Sequence, residues 1–280
     1  MDGFLTSTEI IQTIINKAIG KVSSNVLKQL LLGILGGLFI AFGANASIVV
    51  MQNLMGINLG IAKLLGACVF PVGLILITLT ESELFTGNNL LILAVYDKKI
   101  NFCSLLKSWI AVYFGNFIGS FLLGFMVVKS GILTANTFAL VLSTAQAKID
   151  LTFTEAFIRG ICCNILVVLA VWLATGAKDV TSKMLSCFFP VMIFVLSGFE
   201  HSIANMYYFS AAHILGFPFS WQQIILTNLL PVTLGNMLGG IIIPLTYYLA
   251  FVEFEKQEKI FKLKVLQPLN KINSRYQIQK

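Results

Sequence analysis

The chain has 280 residues, of which 57% are hydrophobic and 11% charged; a soluble domain carries about 25% charged residues, so a water-soluble globular fold is disfavoured. The net charge of +7 does not point to nucleic acid, because seven of the 19 basic residues lie in a short stretch after Glu253. What remains is one helical membrane domain, with its 22 glycines suited to close helix packing in lipid.

Residues 1–26 are expected to form a cytoplasmic amphipathic helix. Thr6 and Glu9 have capping-box spacing, and Ile10, Ile14, Ile15 and Ala18 share one face. Such a helix would lie along the membrane interface. Ala44-Asn45-Ala46 imitates a cleavage site, but the polar stretch before the first apolar run is too long for a signal peptide.

Residues 27–252 form the transmembrane domain. Apolar runs of spanning length, roughly 20 residues, lie near 27–50, 62–95, 105–129, 155–176, 184–216 and 224–252. The second and fifth are too long for simple spans, and polar residues with small ones interrupt them at 81–89 and 197–206. Both read as broken helices. Fifteen of the 19 Lys and Arg fall on one side, in the N-terminal segment, 96–108, 177–183 and the C-terminal segment. The positive-inside rule then places both termini in the cytoplasm of a multi-pass cell-membrane protein. Residues 253–280 make a basic cytoplasmic tail. Its Lys259, Lys262, Lys264 and Lys271 alternate with apolar residues, which suits either an interface with anionic lipid or a solvated tail.

Two pairs of segments are alike. Glu83-Leu84-Phe85-Thr86-Gly87-Asn88 matches Glu200-His201-Ser202-Ile203-Ala204-Asn205, and Gly115-Asn116-Phe117-Ile118-Gly119 matches Gly235-Asn236-Met237-Leu238-Gly239. Asn88 and Asn116 are 28 residues apart, and Asn205 and Asn236 are 31. Three spans duplicated would give inverted repeats, because an odd number of spans reverses orientation. Paired broken helices then put a transport site at the midplane. The fold class is an all-α membrane protein with six transmembrane helices as two inverted three-helix repeats.

Away from the span ends there are four ionisable residues, all at the breaks: Glu81, Glu83, Glu200 and His201. Intramembrane ionisable groups point to function. Glu83 and Glu200 suit a plainer task as well, accepting hydrogen bonds from backbone N–H groups freed by the breaks. His201 has no counterpart, since Leu84 holds its place in the first half. A histidine ordinarily titrates near pH 6.5, so His201 could respond to physiological pH. Thr86 in the opposite break offers a hydroxyl, and the two could hold one small anion. Lys148, in the loop before the fourth span, is either solvated, paired with Glu200, or a lure for anions. Phe70, Leu74 and Phe194 are either core packing or apolar gates that obstruct bare ions.

The five cysteines have no metal-ligand spacing and read as small helix residues, the vicinal Cys162–Cys163 pair included. No nucleotide loop, hydrolase elbow or zinc-protease motif occurs. No enzyme activity and no cofactor are expected.

At these residues the chain resembles the formate–nitrite transporter family, including its hydrosulfide-channel members. The resemblance spans roughly residues 5–255. It rests on Glu83–Asn88, Trp109–Asn116, Gly198–Met206 and Asn228–Gly240, with Ala170-Val171-Trp172 and Phe189-Pro190 also fitting. It implies a homopentamer of aquaporin-like protomers, each with its own pore. It also implies roles: His201 central, Thr86 opposite, Lys148 and Glu200 linked to His201, and Asn164 and Asn205 supporting. Phe70, Leu74, Leu84, Phe85 and Phe194 would form the constrictions. After Thr86 the chain reads Gly-Asn where the formate-channel version has further hydroxyls. Formate, nitrite, hydrosulfide and lactate therefore remain open as substrates. The expected partners are small monovalent anions, protons and the bilayer.

Stripping water from a bare anion is costly. A weak-acid anion that takes a proton at or near His201 would cross the apolar gate as the neutral acid, a route open to formate but closed to chloride. Rival readings are a neutral-solute channel and a membrane sensor acting through the tail.

Overall fold

The computed structural model describes residues 3–258 and 261; the lysines at 259, 262, 264 and 271 lie outside the described residues. Helix α1 (Ser7–Ser23) starts at the Thr6–Glu9 capping box. Bonds from the Thr6 backbone and hydroxyl hold the Glu9 carboxyl below its usual range. The apolar face is seated on protein. Ile10, Ile11, Ile14, Ile15 and Ala18 are all buried, and Leu5 N–H donates to the Gly176 carbonyl.

Helix α2 (Val26–Met51) follows an Asn25 cap. The next run is α3 (Leu59–Val69) and α4 (Val72–Thr80), bent where Pro71 cannot donate an N–H. Glu81 ends α4 in the left-handed conformation, φ 56°. The break is narrower than the sequence suggests, because Gly87–Leu91 already forms a tight helical turn that continues into α5 (Ile92–Tyr96). Helix α6 is Phe102–Lys129. Between it and the fourth span, where the sequence suggests a loop, lies α7 (Ala135–Ile149), capped by Thr134. Its polar residues and modest hydropathy hid it from a search for spans. Lys148 therefore sits in the last turn of a helix.

Helix α8 (Phe153–Gly176) begins at a Thr152–Glu155 capping box. Helix α9 (Val180–Leu196) carries Pro190 internally, and after the break α10 (Ser202–Ile214) is capped by the His201 side chain. The last helical run is α11 (Trp221–Ile224), a π turn, and α12 (Leu230–Tyr248). The α2 helix, the 59–80 run, α6, α8 and the 221–258 run are each long and apolar enough to cross a membrane. This is a helical membrane protein.

Glycine sets the closest helix contacts. A Cβ on Gly119 would collide with the Ile34 carbonyl, and one on Gly239 with the Ile161 carbonyl. So α6 lies backbone-to-backbone on α2, and α12 does the same on α8, as small residues permit in lipid.

Candidate functional site

The two breaks are held by the same device. Asn116 on α6 accepts from Phe85 N–H (2.9 Å) and donates to the carbonyls of Gly33 (2.7 Å) and Glu83 (2.9 Å). Asn236 on α12 accepts from Ser202 N–H (2.9 Å) and donates to Gly160 (2.8 Å) and Glu200 (2.9 Å). Backbone N–H groups of Glu83 and Glu200 donate to Leu32 and Arg159. The freed backbone is thus satisfied by asparagine and by neighbouring helices, not by the glutamate side chains as the sequence suggested.

The two carboxylates meet lysines instead. Lys21 Nζ lies 2.7 Å from Glu83 Oε2 and 3.0 Å from Asn88 Oδ1, while Asn88 Nδ2 donates to the same Glu83 oxygen at 2.7 Å. Lys148 Nζ donates to both Glu200 oxygens, at 2.9 and 3.0 Å, and Asn205 Nδ2 donates to Glu200 at 2.6 Å. Tyr208 presents its ring to Lys148, 5.3 Å from the ammonium. Lys148 precedes Gly160 by as many residues as Lys21 precedes Gly33, so the two pairs stand at corresponding places. In the sequence Lys21 is simply one of the basic residues of the N-terminal segment. The only available signal was its spacing to α2.

Between the breaks, Thr86 Oγ1 and His201 Nε2 are 2.8 Å apart. His201 Nδ1 faces the Ala204 N–H at 3.2 Å and must accept. In the neutral ring the proton is then on Nε2, which donates to Thr86. The Thr86 hydroxyl proton has no other partner among the described residues. Thr86 precedes one short helical segment and His201 caps α10, so two helix N-termini converge on this bond. Their dipoles favour negative charge there.

Around His201 is an apolar chamber of about 10 Å³, lined by Ile40, Phe70, Leu74, Leu84, Val167, Val191 and Phe194. It holds little more than one water. Phe70 and Phe194 meet edge-to-face at 5.7 Å, and Phe194 stacks on His201 at 5.7 Å. On the Leu74 and Leu84 side the chamber adjoins a vestibule of about 530 Å³ bordered by Lys17, Lys21, Lys28 and Lys183. Glu81 is exposed at this mouth rather than inside a span.

Of the residues singled out from sequence, Phe70, Leu74, Leu84, Phe194 and His201 gather around one chamber. Phe85 packs instead on Trp109 (6.2 Å) and Tyr113 (4.9 Å) and is not in the lining of either cavity. Asn164 is fully buried, donating to Asn236 O (2.7 Å) and Asn89 Oδ1 (2.8 Å) beside the Thr86 carbonyl (3.2 Å). Asn205 also donates to Asn228 Oδ1 (2.8 Å), whose amide reaches the Lys148 carbonyl (2.8 Å). Asn89 ends the first polar interruption and Asn228 opens a matched segment, yet neither has a role assigned by the sequence; the chamber residues Ile40, Val167 and Val191 carry no mark in the sequence, because they differ in no way from ordinary span residues.

Comparison with known proteins gives a consistent result. The family model described as "Formate/nitrite transporter" matches residues 8–250. The formate channel BtFdhC of Bacillus thuringiensis is 37% identical over 234 residues, covering 83% of this chain and 90% of its own. A solved "Pentameric formate channel with formate bound" is 32% identical with a TM-score of 0.71, covering 81% of this chain and 98% of that one. A solved "FNT family ion channel" is 28% identical with a TM-score of 0.80, over 87% and 99%. With its paired breaks and the motifs that form them matched over nearly the whole membrane domain, the chain belongs to the formate/nitrite transporter family.

Proposed function

We propose that the protein is a membrane channel for small monovalent weak-acid anions, with formate the first candidate and nitrite or hydrosulfide next. The observation that carries this is the Thr86–His201 bond of 2.8 Å, held where two helix N-termini meet beside the apolar chamber that His201 lines. The relatives named as formate channels put formate first.

The architecture that goes with this reading is six spans in two inverted three-helix repeats, aquaporin-like, with both termini cytoplasmic. The repeated asparagine clamps and lysine–glutamate pairs support it. Under that pairing the chamber is lined by equivalent residues: Ile40 with Val167, Leu74 with Val191, and Leu84 with His201. His201 is then the polar departure from a duplicated apolar ring, and it makes the chamber able to receive an anion. The chain divides into a docked N-terminal segment (1–26), the channel domain (27–252) and a basic cytoplasmic segment (253–280). Five protomers assemble with one pore each, by likeness to the solved pentamer.

The mechanism follows from the hydrogen-bond directions. Lys21 and Lys148, each half-spent on its glutamate, favour an anion at either flank of the apolar stretch. At the centre the Thr86 hydroxyl donates to the anion, backed by the His201 Nε2–H. Protonating His201 at Nδ1 would break its bond to Ala204, so the proton that neutralises the substrate comes from water in the path rather than from an imidazolium. Asn164 and Asn205 hold Thr86 and Glu200 in place. Phe70 and Phe194 on one side, and Leu74 and Leu84 on the other, admit the neutral acid and obstruct the bare ion.

The test is flux through purified protein in liposomes, comparing formate, nitrite, hydrosulfide, lactate and chloride. Flux of a weak-acid anion without chloride flux, altered in His201→Phe, supports the proposal. Glycerol or water flux alone would favour a neutral-solute channel. Absence of every flux from folded protein would favour a sensor.

A further inference from the structure

The vestibule beside Leu74 and Leu84 carries more positive charge than the Lys21–Glu83 pair consumes. Its lining holds four lysines, Lys17, Lys21, Lys28 and Lys183, against two carboxylates, Glu81 and Glu83. Glu83 is committed to Lys21 and Asn88. Lys17, Lys28 and Lys183 have no ion-pair partner among the described residues, and Glu81 is the one remaining carboxylate of this lining. Burial, then Lys21 and Lys183, hold the Lys17 ammonium below the usual lysine range, with Glu81 opposing weakly. This is a mouth short of negative charge.

Its size exceeds what a single small anion fills. About 530 Å³ lies within the range of small-molecule sites, roughly 300–1,000 Å³. The chamber beyond Leu74 and Leu84 offers only about 10 Å³. An ion with several charges could enter the first space and not the second, since desolvation cost rises steeply with charge.

We propose that this vestibule binds a small polyvalent oxyanion, a polyphosphate or polycarboxylate, between Lys17, Lys28 and Lys183, and that the bound ion plugs the path. The block rests on the channel reading; the binding does not. By the charge-based orientation the mouth faces the cytoplasm, so flux would respond to the cytoplasmic level of such anions.

The experiment uses the full chain and two probes, inorganic pyrophosphate and citrate, at ionic strength matched with chloride. Calorimetry on detergent-solubilised protein reads binding, and formate flux in oriented membrane vesicles reads block. Saturable binding, and block from the lysine-lined side alone, are expected. Binding should weaken at least tenfold in Lys17→Gln/Lys183→Gln and persist in Lys17→Arg/Lys183→Arg. The probe that binds more tightly names the source, polyphosphate or polycarboxylate. No binding, or equal binding by wild type and the glutamine variant, would overturn the site. Binding without block in conducting vesicles would overturn the plug. Binding with no formate flux at all would sink the channel reading and leave the site standing.

Discussion

Lys21 lies 2.7 Å from Glu83 across 62 residues of chain, tying the N-terminal helix to the first break. Glu83 is only 7% exposed in its side chain, whereas Lys21 is 30% exposed. The carboxylate is therefore the member that suffers if the pair is cut. Lys21→Met leaves it with Asn88 alone, a loss of about 2–3 kcal/mol for a charged hydrogen bond. Thermal unfolding in detergent should show the drop. The double variant Lys21→Met/Glu83→Gln should recover part of it, and additive losses would mean the pair is not coupled.

Thr86→Val keeps the shape and removes the hydroxyl. The His201 Nε2–H then loses its acceptor beside an apolar chamber, at a cost of about 1–3 kcal/mol. If that cost is felt at the barrier, formate flux falls roughly tenfold or more, while Thr86→Ser retains most of it. Stopped-flow efflux from liposomes measures both. Equal flux in the valine variant would remove Thr86 from the proposed path.

Asn116 and Asn236 each satisfy three buried backbone groups. Substituting either with leucine strands those groups at about 1–3 kcal/mol each, more than a marginally stable protein tolerates. Loss of monodisperse protein after detergent extraction is expected for both, and to a similar degree.

Lys17 gives a pH prediction. Its folded-state ionisation is shifted downward by burial and by Lys21 and Lys183, so the unfolded chain binds more protons. Stability should therefore rise as pH climbs from the lowered folded value toward the ordinary 10.5. Melting temperature should increase in wild type as pH climbs toward 10.5 and flatten in Lys17→Met, which should also be the more stable of the two at neutral pH.

Much of the fold was legible because lipid is a stringent solvent. Spans must be apolar and about 20 residues long, so the five runs that form spanning-length helices among the described residues were visible, and polar interruptions marked the breaks at Glu83 and Glu200. Caps such as Thr6–Glu9 were equally plain. Helix α7 was not, since it is too polar and short to resemble a span, and its loss made Lys148 look like a loop residue. The N-terminal face from Ile10 to Ala18 was read correctly as apolar, but an apolar face does not say whether lipid or protein covers it.

The same division holds at the site. Residue chemistry in an apolar setting singled out His201, Thr86 and Glu200, because a polar group in a membrane is costly and therefore conspicuous. Tertiary structure alone decided that Asn116 and Asn236 hold the breaks, that Lys21 joins Glu83, and that Phe85 turns to Trp109 and Tyr113 while Ile40 and Val167 line the chamber. Those choices depend on which helix faces approach, and approach is set by glycine contacts between segments far apart in the chain. A sequence displays the cost of placing a polar group in lipid, but the partner that offsets that cost exists only once the helices have packed.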